Sequence, residues 1–342
     1  MFADKLGFSE AWMGEHYSSS GEPVTSPLIF NSCLINQAKQ IKFGTGVISL
    51  PQQHPGVIAG QVALFDHLSK GRFLFGIGAG GLVSDWELFD NLDGKTRALT
   101  MIETIDAIIK IWESNKPLEY KGEYINFKVK DNFIPELGIG TFIKPFQKPY
   151  PPIAVSLKSP NSMTAKFAGQ KCWIPISGNF IPPEDIATHW PTYKTGCQEN
   201  NLIPDPSIWR VGRSVLITND NSEAEDIIND PKGIFTEYFL YLNTVGKLAN
   251  GEKKENISIS KIRKESIEKA KSLVIIGNEK RVLDELIEFI DIVGPFGTLL
   301  LTGHDMTKHQ KLWINTFERM SKNIKHTLSD YISNKLSRSA AE

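Results

Sequence analysis

Short runs rich in β-branched and aromatic residues alternate along this chain with longer stretches of helical periodicity, and that order constrains the fold more than any other feature. It is the pattern of βα units built around a parallel sheet. Seven strand candidates stand out: residues 10–15 (EAWMGE), 41–50 (IKFGTGVISL), 72–79 (RFLFGIGA), 152–157 (PIAVSL), 172–177 (CWIPIS), 209–218 (WRVGRSVLIT) and 297–302 (GTLLLT). Several are almost wholly apolar, as strands buried on both faces are. The 342 residues suit one α/β barrel of roughly 250 residues enlarged by insertions.

Helices are expected between these runs. Ser26-Pro27 reads as an N-cap with proline at the first helical position, opening a helix over 27–39. A second is expected over 54–69. From 97 to 113 the set Met101, Ile105, Ile108 and Trp112 recurs at helical spacing. Asn278 is placed to cap a helix carrying Val282, Leu286 and Ile290, and a last helix is expected over about 308–328. Two segments exceed a minimal barrel, 115–151 and 231–271. The second contains the charged stretch NGEKKENISISKIRKES and reads as a flexible lid or a solvated insertion.

Composition excludes several classes. With 38 basic against 39 acidic side chains, the chain lacks the excess of Lys and Arg that nucleic acid or an anionic membrane surface would demand. Cys33, Cys172 and Cys197 are too few and too scattered for a disulfide framework or a cysteine zinc site, so no metal site and a reducing, cytoplasmic setting are expected. The opening residues lack the apolar core of a signal peptide, and no run reaches the length of a membrane span.

Three motifs carry chemistry. Gly76, Gly78 and Gly81 satisfy GxGxxG after a strand, but the residues after them are acidic and lead into a helix, not into the second strand of a dinucleotide fold. A glycine-rich loop that lets a ligand approach the backbone fits better. Glu15-His16-Tyr17 closes the first strand candidate, on the side where barrels place their active sites. The same strand ends collect Thr45-Gly46-Val47, Gly78-Ala79-Gly80, residues 156–162, Ser177-Gly178-Asn179 and His304-Asp305. One histidine among small groups describes a pocket for a large flat ligand better than a metal site. Finally, KSPNS at 158–162 precedes a helix, where Ser159 and Ser162 suit either an anion or an ordinary cap.

In this order, LGFSEAWMGEHY, IKFGTGVISLPQQHP, FDHLSKGRFLFGIGAGG, KPYPPIAVSLKSPNS and GPFGTLLLTGHD resemble the bacterial luciferase-like family of flavin-dependent monooxygenases, over nearly the whole chain. The wording is most similar to the limonene 1,2-monooxygenase-like and alkanal monooxygenase-like branch. The resemblance implies a (β/α)8 TIM barrel that uses reduced FMN, with FAD or F420 as alternatives, and O2 as co-substrate. It implies His16 as the catalytic histidine, Thr45, Gly46 and Val47 against the flavin ring with a non-prolyl cis peptide at Gly46-Val47, and Gly78, Ala79 and Ser156 near the cofactor. Ser159 and Ser162 match hydroxyls that contact the flavin phosphate.

The reaction implied is transfer of one oxygen atom to an apolar aldehyde, ketone or terpene alkene through a C4a-peroxyflavin, with a separate NAD(P)H:flavin reductase and a homodimer formed through 27–39 and 54–69. Luciferase proper has arginine at Ala79, a carboxylate at Lys158 and a second histidine at Tyr17, which disfavours light emission. The rival readings are an F420-dependent oxidoreductase and a non-catalytic flavin-binding partner subunit. Family members normally carry a strand upstream of the LGF segment, so a barrel lacking its first β-strand is expected here.

Overall fold

The computed structural model describes residues 1–339. Its contacts divide the chain into two compact units, Met1–Ala154 and Val155–Glu342.

The N-terminal unit is built on parallel strands β1 (Glu10–Met13), β2 (Lys42–Thr45) and β4 (Phe73–Gly78), with the short β3 (Ile48–Ser49) on the end of β4. Met13 aligns with Thr45, Gly44 with Leu74, and Ser49 with Gly78, so the C-terminal ends of these strands share one edge. Every residue of β4 is buried, and Phe43, Phe65 and Phe73 pack edge to face beneath the helix Pro55–Leu68. Glycine makes this closeness feasible. A Cβ on Gly76 would lie 1.7 Å from the Thr45 carbonyl oxygen, and Thr45 Oγ1 bonds both backbone groups of Gly76.

The segment 115–151 forms an antiparallel hairpin, β5 (Leu118–Lys121) with β6 (Asn126–Val129). The Glu103 carboxylate accepts from the amides of Glu123, Tyr124 and Ile125 at its tip. The helix expected over 27–39 is shorter, Pro27–Ser32. Asp4 takes up the amides of Lys39, Gln40 and Ile41, so the chain there turns into β2 instead of continuing as helix.

In the C-terminal unit β9 (Arg210–Ile217) is the long central strand. Its first residues pair with β8 (Ile174–Ser177) and with β11 (Thr298–Leu301), and its last four with β10 (Val274–Gly277). β7 (Ile153–Leu157) begins at the end of the N-terminal unit. All seven expected strands are present, while β10 is an addition the sequence did not announce.

The stretch 231–271, read as a lid or a solvated insertion, is instead two packed helices, Ile234–Ala249 and Ile259–Leu273. Phe235, Phe239 and Leu273 bury themselves with Leu216 and Ile276, and that apolar stripe outweighs the charged surface around it. The last helix also runs further than expected: Gln310–Arg319 continues through a π-turn into Lys325–Ser339.

Candidate active site

At the shared strand edge of the N-terminal unit, three consecutive residues after β1 share two polar partners, Gln53 and Asp85. Glu15 is buried; its carboxylate accepts from the Ser49 amide at 3.0 Å and from Gln53 Nε2 at 3.0 Å. Loss of water around it pushes its pKa up to about 7, against the pull of those donors. His16 is partly exposed, with Nε2 3.2 Å from Glu22 Oε2 and Nδ1 3.8 Å from Asp85 Oδ2. Burial pushes the Tyr17 hydroxyl up, and Gln53 Nε2 donates to it at 3.0 Å.

Asp85 fixes this loop. It is buried in the first turn of the helix Val83–Leu88 and accepts from the amides of Tyr17 and Ser18 and from the Ser18 hydroxyl. Its Oδ2, which accepts only from the Tyr17 amide, lies 3.8 Å from His16 Nδ1. The other ring nitrogen, Nε2, faces Glu22.

Thr45, Gly46, Val47, Gly78 and Ala79 lie on the same edge as His16. The Gly46-Val47 peptide is cis, as the resemblance implied. Gly46 is exposed, Val47 and Ala79 are half-buried, and a Cβ on Gly78 would meet Val47 Cγ2 at 2.5 Å. Beside them Gly80 has φ +84°, and a Cβ there would face Gln52 Nε2, Trp86 Nε1 and Ser49 Oγ at 3.3–3.6 Å. Gln52 Oε1 and Trp86 Nε1 are buried without a hydrogen-bond partner among the described residues. An unspent acceptor and an unspent donor next to an open glycine edge fit a ligand with polar edges on a flat body.

The remaining expected residues belong to the C-terminal unit. Ser156 is half-buried at the end of β7, Ser159 is exposed, and Ser162 is the buried N-cap of the helix Met163–Lys171. The Ser162 side chain makes no capping bond, so its hydroxyl and the first amides of the helix remain available to an anion. The loop before it is tied down. Trp209 Nε1 donates to Ser177 Oγ at 2.9 Å, Ser177 Oγ lies 2.8 Å from His189 Nδ1, and His189 Nε2 lies 2.9 Å from the Ser159 carbonyl. The Ser159 carbonyl can only accept, so the neutral imidazole carries its proton on Nε2 and Ser177 donates to Nδ1.

His304 and Asp305 part company. His304 is half-buried against Ser214 Oγ, Phe235 and Tyr238, and loss of water around its ring lowers its pKa to about 4, whereas Asp305 caps a turn through Thr307. Sequence reading missed Asp85, Glu22, Gln52 and Trp86. The available signal was the acid in the first turn of the helix after the glycine loop.

The luciferase-like monooxygenase family matches residues 2–294. The chain belongs to it. Similar relatives of this luciferase-like monooxygenase include 4-hydroxyprotoasukamycin monooxygenase of Streptomyces nodosus subsp. asukaensis, 27% identical over 90% of this chain and 80% of the relative. Limonene 1,2-monooxygenase of Rhodococcus erythropolis is 28% identical over 65% of this chain and 54% of its own length.

The oxygenating constituent of 3,6-diketocamphane monooxygenase from Pseudomonas putida, solved with FMN, superposes with a TM-score of 0.77 at 21% identity over 94% of this chain and 89% of that one. An F420-dependent secondary alcohol dehydrogenase superposes at 0.67 with 16% identity, covering 88% and 86%. The fold of this luciferase-like monooxygenase is thus the α/β barrel type of its family, and the protein is an oxidoreductase. Among the described residues no helix is long and apolar enough to cross a membrane.

Proposed function

We propose that this luciferase-like monooxygenase uses reduced FMN and O2 to insert one oxygen atom into an apolar aldehyde, ketone or terpene alkene. The observation that carries the reading is the strand edge where His16, the small residues Thr45–Val47 and Gly78–Ala79, and the unspent polar atoms of Gln52 and Trp86 lie together. Within the N-terminal unit these groups suit the flat, polar-edged ring of a flavin. Within the C-terminal unit Ser156, Ser159, Ser162 and the open helix N-terminus suit a phosphate monoester. Reduced flavin, when bound, supplies the two electrons by which O2 gives one atom to the substrate and the other to water.

The chain's own residues hold, orient and move protons. Asp85 fixes the loop that presents His16, and His16 Nε2 takes or gives a proton, with Glu22 as its partner. The glycine loop leads into the six-residue helix Val83–Leu88 and then into Gly94–Glu113. That is not the crossover of a dinucleotide fold, which supports supply of reduced flavin by a separate NAD(P)H:flavin reductase. A homodimer is supported by the exposed apolar side chains of Ile29, Phe30, Val57, Leu64 and Leu68 on two neighbouring helices.

The test is anaerobic titration of the protein with FMNH2, FADH2 and reduced F420, followed by an oxygen pulse with and without decanal, limonene or a bicyclic ketone. Tight binding of FMNH2 and an oxygenated product are expected. Binding of reduced F420 alone, with oxidation that needs no O2, would replace this reading with the F420-dependent one.

A further inference from the structure

The helix Met163–Lys171 opens on an exposed thioether at the point where the chain offers donors to an anion. The chain has six methionines. Met101, Met306 and Met320 are buried and Met1 and Met13 half-buried, whereas Met163 is 71% exposed. The amides of Ala165 and Lys166 close on the Ser162 carbonyl at 2.9 and 3.3 Å. The free donors of this helix are therefore the amides of its first two residues, Met163 and Thr164. Beside them the Ser162 side chain, 7% exposed, makes no capping bond. One residue thus carries both a free amide of the anion site and the most exposed methionine sulfur among the described residues.

A thioether is soft and polarizable, and a peroxide oxidises it where water can reach it. The sulfur lone pair attacks one oxygen of hydrogen peroxide, the O–O bond breaks, and the other oxygen leaves as water after proton transfer. The sulfur is oxidised by two electrons to a sulfoxide, and the peroxide is reduced. Hydrogen peroxide is what reduced flavin and O2 yield when no substrate takes up the oxygen atom. The new S=O is a strong acceptor with partial negative charge. Its side chain springs from a Cα–Cβ bond that tilts toward the N-terminus of the helix. The free amides and the helix dipole that favour a phosphate favour this oxygen too, so the two compete.

We propose that Met163 is an oxidation site through which hydrogen peroxide weakens anion binding at this helix, a brake on an oxygenase that reoxidises its flavin without product. The proposal rests on reading the helix N-terminus as the place of the flavin phosphate. The full-length, flavin-free protein is treated with hydrogen peroxide, mapped by peptide mass spectrometry, and titrated by fluorescence with FMN and with riboflavin. Met163 should oxidise at least tenfold faster than Met101, Met306 and Met320. FMN should then bind at least fivefold more weakly and riboflavin equally well, and methionine sulfoxide reductase should restore FMN binding. Met163→Leu should keep its FMN affinity through the same treatment. Three results would each overturn the proposal while leaving the phosphate reading intact: oxidation of Met163 no faster than of the buried three, FMN affinity that survives complete oxidation of Met163, or an equal loss in Met163→Leu. Equal binding of FMN and riboflavin by the untreated protein would overturn the phosphate reading and the proposal with it.

Discussion

The Glu15 carboxylate accepts the backbone N–H of Ser49 at 3.0 Å, joining the end of β1 to β3 through a buried acid. Burial raises that acid from its ordinary 4.5 to about 7. Between those two values the folded state holds a proton that the unfolded chain has released. Stability from this group is therefore complete below about pH 4.5 and is lost as pH rises through 7, a difference of about 3 kcal/mol at most. Glu15→Gln keeps an acceptor for Ser49 and removes the titration. Its urea-unfolding free energy should vary less between pH 5 and 8 than that of the wild type, and an identical pH slope in both proteins would refute the burial argument.

His16→Ala should leave reduced-flavin affinity within about threefold while lowering product formed per flavin oxidised at least tenfold, the range expected for loss of a proton-transfer group. Stopped-flow reoxidation with product quantified by gas chromatography reads both. An equal product yield would remove His16 from the chemistry.

Ser162 separates an anion site from an ordinary cap. Because its side chain makes no capping bond, Ser162→Ala should shift stability by no more than about 0.5 kcal/mol. If its hydroxyl meets the flavin phosphate, FMN should bind about 10- to 100-fold more weakly and riboflavin equally well, the effect of one hydrogen bond to a charged group. Fluorescence titration of both flavins distinguishes the two roles.

Leu64 and Leu68 are 52% and 53% exposed on the helix Pro55–Leu68. The double change Leu64→Glu with Leu68→Glu should convert a homodimer to monomers in sedimentation velocity while leaving the far-ultraviolet circular dichroism unchanged. A wild-type protein that already sediments as a monomer would sink the dimer reading.

The fold was legible wherever a strand begins or ends against a breaker. β4 is followed by the glycines at 80 and 81, and Asn278 caps its helix through the Arg281 amide as its position suggested. β10 escaped because Val274 follows Leu273 with no breaker between helix and strand. The insertion at 231–271 misled through its surface charge, since Phe235 and Phe239 are spaced as a buried helical stripe.

At the site, His16 was legible because the end of a strand is a chemical address. Asp85 was not: its partners Tyr17 and Ser18 lie 68 and 67 residues away along the chain, and only folding brings them to it. Gln52 and Trp86 are ordinary residues until burial leaves their polar atoms without partners.

The hydrogen-bonded series from Trp209 through Ser177 and His189 to Ser159 runs one way, because the carbonyl at its foot can only accept and the indole at its head can only donate. Each later member inherits its orientation from that asymmetry. A second proton on His189 would have to enter at Nδ1, against the Ser177 hydroxyl hydrogen, and burial already lowers the imidazole's affinity for it. Burial of His189 thus keeps the carbonyl of Ser159, and with it the approach to the helix Met163–Lys171, tied to a neutral imidazole.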